Sequence, residues 1–236
     1  MAMATNAEAL IQTEELTAAL EARAFAYHLL MQAFLAEPGR DLVRALAESD
    51  ALRVFPFGEE SALIAQGADE VLGYLGDPGN ATDEAFDQLK WDYTRLFIGP
   101  DRLPAPPYES AYRSEDRLLF QPETLAVRQA YLAYGFAPRY LGSEPDDHIG
   151  LELNFLSETC RLAVDHAGAG EGAALVAVLR DQTSFLDEHV LKWAQAFAAD
   201  TAAGANTAFY RGMAHLLAGF LSVDRRILAE LLQDAA

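Results

Sequence analysis

Apolar residues recur every three or four positions along most of this chain, the spacing that gathers them on one face of an α-helix. Thr13 followed by two glutamates reads as a cap, and Leu16, Leu20, Phe25, Leu29 and Phe34 carry the rhythm forward until Pro38 and Gly39 stop it. Further helical patterns run from about 41 to 48 and from about 59 to 75. Thr82, a second cap with acidic residues behind it, opens another that reaches Phe97. Pro122 suits the first position of a helix extending to about Tyr134. "GFAPRYLGSEPDD" reads as a loop, after which Asp146 or Asp147 caps a helix over about 148 to 166. "GAGEG" breaks that helix, and two long ones follow, over about 173 to 199 and 204 to 233. No stretch alternates apolar and polar residues for long enough to argue a strand, so the expected fold is all-α.

The region from about 100 to 146 interrupts this regularity, for it holds seven of the ten prolines. It predicts one domain of two lobes joined by a proline-rich hinge. The N-terminal lobe covers about 14–98, the hinge and proline segment about 99–146, and the C-terminal lobe about 147–233. A hinge of this kind permits exchange of lobes between two copies, so a monomer and a lobe-swapped dimer are both compatible with it.

Composition narrows the partners. With 17 Lys and Arg against 36 Asp and Glu, the net charge is -19. That charge repels phosphate backbones and anionic membrane surfaces and attracts basic peptides, although it also serves solubility. The first residues, "MAMATNAEALIQTEEL", lack the basic and apolar regions of a secretory signal. The longest uncharged apolar stretches fall short of the roughly 20 residues that span a bilayer, so stable membrane insertion is not expected. Cys160 is the only cysteine, which precludes an internal disulfide and suits a reducing cytoplasm; it lies in an apolar helical pattern as a small core residue.

No nucleotide-binding or HExxH motif is present, and "GAGEG" follows a helix where a phosphate loop would follow a strand. A di-iron bundle needs Glu-x-x-His on two helices, yet none of the five histidines has a Glu three residues before it. In "DDHIGLEL", His148 and Glu152 share a helix face beside Asp147. That set suits a divalent metal or an acid/base pair, and equally a helix cap beside a simple ion pair. "LPAPPYESAYR" is open in the same way. Its prolines make a stiff spacer, while Tyr108, Glu109, Ser110, Tyr112 and Arg113 supply donors, acceptors and aromatic faces that a spacer does not need.

Together, "YTRLFIGPDRLPAPPYESAYR" and "EPDDHIGLELNFL" resemble the two signature blocks of the TorD/DmsD/NarJ family of redox-enzyme maturation chaperones. "FLDEHVLKWAQAFAAD" and "FYRGMAHLLAGFL" resemble the family's C-terminal helices, so the likeness covers about residues 15 to 232, and "PPYES" is similar to the TorD-like branch. The resemblance implies an all-helical cytoplasmic chaperone with no catalytic residues, no metal and no cofactor of its own. Guanine-nucleotide binding is compatible with the family but indicated by no motif. The implied partner is the apo catalytic subunit of a molybdopterin oxidoreductase of the dimethyl-sulfoxide-reductase type, with its twin-arginine signal peptide, held until the cofactor is inserted. A NarJ-like assembly role for a cytoplasm-facing nitrate reductase is the alternative, and a metal-dependent hydrolase centred on Asp147, His148 and Glu152 a more distant one.

The resemblance also assigns a recognition surface, Leu96 with Phe97 and Asp147 with His148. Tyr93 stands where some relatives have tryptophan, and this chain's own Trp91 lies two residues earlier. The expected peptide-binding set is Tyr93, Leu96, Phe97, Pro106, Tyr108, Glu109, Ser110, Asp147, His148 and Glu152. In the expected groove Leu96 and Phe97 offer apolar contact, and Glu109, Asp147 and Glu152 meet guanidinium groups. The competing reading puts Leu96 and Phe97 in the core and makes Arg113 an internal partner of Glu109.

Overall fold

Residues 14–100, 102–114, 116, 118–137 and 144–234 are described by a computed structural model. The expected cap at Thr13 and residues 138–143 of the expected loop lie outside them. Helix α1 (Glu14–Phe34) buries Leu16, Leu20, Tyr27, Leu30 and Phe34, and packs on α7 (Ile149–Gly168). The short α2 (Arg40–Glu48) leads to α3 (Ala62–Gly76), which packs on the long C-terminal α10 (Ala208–Asp234). At that crossing the backbones touch: a Cβ on Gly67 would lie 2.6 Å from the Gly212 carbonyl oxygen, and one on Gly212 equally close to that of Gly67. Only glycine permits an approach this close.

Thr82 caps α4 (Asp83–Tyr93) as expected, its hydroxyl accepting the Ala85 N–H at 3.1 Å. The chain then loosens into a π-turn over Thr94–Ile98 before the prolines. Two short helices follow, α5 (Glu109–Arg113) and α6 (Pro122–Ala133), the second begun by proline at its first position. After α7 come α8 (Gly172–Glu188) and α9 (Ala194–Gly204). No strand occurs among the described residues, and none of their helices is long and apolar enough to cross a membrane.

One expectation needs correction. The helix expected over 173–199 is two helices, divided at His189 and a 3-10 turn over Val190–Lys192. No proline or glycine marks the break; the bend is held by tertiary contacts of His189 and Trp193 described below. The N-terminal and C-terminal helical groups share one core. Buried apolar residues from Leu16 to Leu228 form one cluster, and N-terminal α1 and α3 lie directly on C-terminal α7 and α10. A buried charged group reinforces the same junction: Asp224 on α10 accepts from Arg23 and, at 2.7 Å, from the Tyr27 hydroxyl, both on α1.

Candidate functional site

The proline segment does not span a gap; it is stitched to the start of α7. Ala105 N–H donates to the Leu96 carbonyl at 3.3 Å, folding the segment back on the π-turn. Three residues beyond Ala105, Tyr108 forms an antiparallel bridge with His148. Ile149 N–H donates to the Pro107 carbonyl at 2.9 Å and Glu109 N–H to the Asp147 carbonyl at 3.0 Å. Extended proline backbone has carbonyls free for such pairing, which is why a segment unable to form helix docks so firmly against another chain end. The first turn of α7 is pressed equally hard from its other side, since a Cβ on Gly150 would fall 2.5 Å from the Leu35 Cα.

The acidic residues around this junction point inward. Asp147 accepts the Ser110 N–H at 2.8 Å through one oxygen and the Thr124 hydroxyl at 2.8 Å through the other. With its carboxylate committed there, the cap of α7 falls to His148, whose Nδ1 accepts the Gly150 N–H at 3.0 Å; neither Asp146 nor Asp147 caps it. Burial pushes the His148 imidazole down to a pKa of about 4, against a smaller opposing effect of Asp147, so the ring is neutral and able to accept. Asp146 pairs with Arg128 at 2.6 Å, and its carbonyl accepts the Tyr131 hydroxyl at 2.9 Å. Glu109 lies between Arg113 and the His189 ring, each at 3.0 Å. Glu152 accepts the Trp193 indole N–H at 3.2 Å, while its other oxygen is buried with no partner. Burial, then the nearby charges of Glu109 and Asp147, push the Glu152 pKa well above its ordinary value, which favours the neutral acid.

A profile of the family described as nitrate reductase delta subunit matches residues 59–199, which include both halves of this junction. Chaperone protein TorD from Vibrio cholerae serotype O1 is 31% identical over 165 residues, 70% of this chain and 71% of that protein. The chain belongs to the TorD/DmsD/NarJ family. Chaperone protein TorD from Aliivibrio salmonicida shares 29% identity over 147 residues, 62% of this chain and 67% of that one. The Haemophilus influenzae protein named "Probable Tat proofreading chaperone DmsD" shares 34% over 126 residues, 52% of this chain and 54% of that one. These relatives are named as chaperones, not as enzymes.

The two TorD-like blocks are thus joined in space, but the side chains expected to form an open groove are mostly enclosed. Tyr93, Leu96, Phe97, Pro106, Glu109, Ser110, Asp147, His148 and Glu152 are buried, and Tyr108 is half-buried with its hydroxyl on Glu144. Phe97 sits among Phe34, Tyr93, Phe197 and Tyr210, an aromatic cluster of the core. The guanidinium that meets Glu109 is Arg113 of the same chain. An unpaired carboxylate here would be costly to desolvate, so the fold supplies it with partners of its own. Thr124, Arg128, Tyr131, His189 and Trp193 complete the junction, and sequence reasoning did not single them out. The only local hint was the run of polar residues amid helix, because the partners come from α6 and the bend after α8. Among the described residues no group of three or more His, Cys, Asp or Glu side chains is arranged to hold a metal ion.

What the junction leaves open lies beside it. A cleft of about 630 Å³ runs past Trp91, Arg95, Arg102 and Pro104, with the Trp91 side chain 71% exposed. A second, of about 470 Å³, lies between α6 and α8 and ends at His189. Leu118, Phe120, Leu125 and Leu132 are also exposed, an apolar surface along and just before α6.

Proposed function

We propose that this protein is a cytoplasmic chaperone that holds the apo catalytic subunit of a molybdopterin oxidoreductase of the dimethyl-sulfoxide-reductase type, together with its twin-arginine signal peptide, until the cofactor is inserted. One observation carries the reading: the two blocks resembling the family signature dock on each other through the Asp147 hydrogen bond to Ser110 and the Tyr108–His148 bridge. The blocks act as a rigid junction that sets the surrounding surface, and their buried residues shape recognition by holding the loops in place. Similarity to proteins named TorD and DmsD supports an exported client. The description of the matching family favours a second reading, an assembly factor for a cytoplasm-facing nitrate reductase. A strongly acidic surface favours a client segment rich in arginine under either reading.

The test is recovery of the tagged protein from its native cytoplasm, with mass spectrometry of what accompanies it. The expected result is a molybdenum-enzyme catalytic subunit that still carries its leader. A subunit without any twin-arginine leader would favour the nitrate-reductase reading. Absence of any such subunit, in cells that express one, would overturn both.

A further inference from the structure

Between α6 and α8 the surface forms a groove whose walls differ in chemistry from those of the larger cleft. Its floor is apolar: Ala126, Ala130 and Ala133 lie one helical turn apart on α6, with Phe155 and Phe185 beside them. Small residues there let another backbone come close, over the edges of two rings that are themselves largely buried in the core. The rim is acidic. Asp181 and Glu188 are exposed, each holding one hydrogen bond, from the Tyr134 hydroxyl at 2.6 Å and the Ser184 hydroxyl at 2.8 Å. A carboxylate has capacity for further donors after one such bond. No lysine or arginine is among the described residues that line the groove. The 630 Å³ cleft, by contrast, is lined by Arg95, paired with Asp92 at 2.9 Å, and by Arg102.

Two further features suit the groove to a polypeptide. Leu125 and Leu132, 60% and 56% exposed, extend its apolar surface along the outer ridge of α6. At its end His189 bonds Glu109 at 3.0 Å, so an occupant adjoins the junction of the two signature blocks. We infer that the groove between α6 and α8 seats a cationic amphipathic segment of the client polypeptide, its apolar side on the alanine and phenylalanine floor and its arginine or lysine side chains on Asp181 and Glu188. The inference rests on the chaperone reading above and adds the place of contact. Complementarity decides the occupant: an acidic segment would face the two rim carboxylates, and a purely apolar one would leave them unused.

The probe is a fluorescein-labelled synthetic peptide with two adjacent arginines before an uncharged apolar run of about ten residues, read by anisotropy. The intact protein should bind it, more weakly as salt is raised, and should not bind the same peptide with two glutamates in place of the arginines. Asp181→Lys combined with Glu188→Lys should weaken binding by about tenfold or more, since attraction becomes repulsion at two sites. Ala130→Trp, which fills the floor without altering charge, should weaken it comparably, whereas Trp91→Ala with Arg102→Glu in the other cleft should not. Circular dichroism confirms that each variant is folded. Unchanged affinity in the folded double charge reversal, equal binding of the glutamate peptide, or no binding by the intact protein would each overturn the groove assignment. Recovery of the catalytic subunit from cells reports separately. If the double reversal recovers it undiminished, the groove is wrong and the chaperone reading stands; if the intact protein recovers none, that reading fails.

Discussion

Glu152 is a carboxyl group with no exposed surface, one indole partner and one buried oxygen without any. Burial and the neighbouring Glu109 and Asp147 raise its pKa, favouring the protonated form and lowering the cost of a buried charge. The sign follows from linkage. A carboxyl whose folded pKa is raised contributes fully below its unfolded value of about 4.3, and that contribution is lost as pH climbs toward the folded pKa. His148 runs the other way, because its pKa is lowered to about 4 on folding. Its contribution is present above the unfolded value of about 6.5 and lost as pH falls toward the folded one. Glu152→Gln keeps the acceptor for Trp193 and cannot ionise. The stability gap in favour of the glutamine variant should therefore widen from pH 5 to pH 8 by up to on the order of 1 kcal/mol per pH unit, measured by urea denaturation. A gap that stays constant over that range would mean Glu152 is ionised in the folded protein.

Asp147 belongs to the scale of elements, because one carboxylate fastens the start of α5 through Ser110 and the first turn of α6 through Thr124, beside the beginning of α7. Asp147→Ala leaves a buried N–H and a buried hydroxyl without acceptors, a loss on the order of 2 to 4 kcal/mol. Its thermal midpoint should fall by several degrees at least; a wild-type midpoint with lost client binding would instead make Asp147 a direct contact residue. The helices themselves were largely legible, since Pro38, Gly39, Thr82, Pro122 and the glycines of "GAGEG" are punctuation that acts through local backbone chemistry. The break at His189 was not, because "EHVLKW" continues a helical pattern and only contacts to Glu109 and Glu152 turn the chain. The junction shared that difficulty. The sequence displayed Glu109, Asp147 and Glu152 as carboxylates suited to a ligand's guanidinium and offered Arg113, four residues on, as an internal partner of Glu109, while Thr124, His189 and Trp193 became evident only when distant elements met. Charged residues are rarely buried, and a local pattern carries no information about a partner 41 residues away.

At the scale of the whole molecule, a single core is built from both halves of a chain whose formal net charge is -19. The fold thus spends its polar chemistry on holding the proline segment and α7 together, and presents clefts and exposed apolar side chains around that fixed junction. Such a surface suits a protein that receives another polypeptide and must release it again, because rim charges and a shallow apolar floor give moderate, salt-sensitive affinity. The most direct measurement is calorimetric titration of the purified protein with its client catalytic subunit, prepared once without the molybdopterin cofactor and once loaded with it. Binding to the empty subunit at least about tenfold tighter than to the loaded one, a difference of about 1.4 kcal/mol, is the result expected of a maturation chaperone. Equal affinity for the two forms, or none for either, would contradict it.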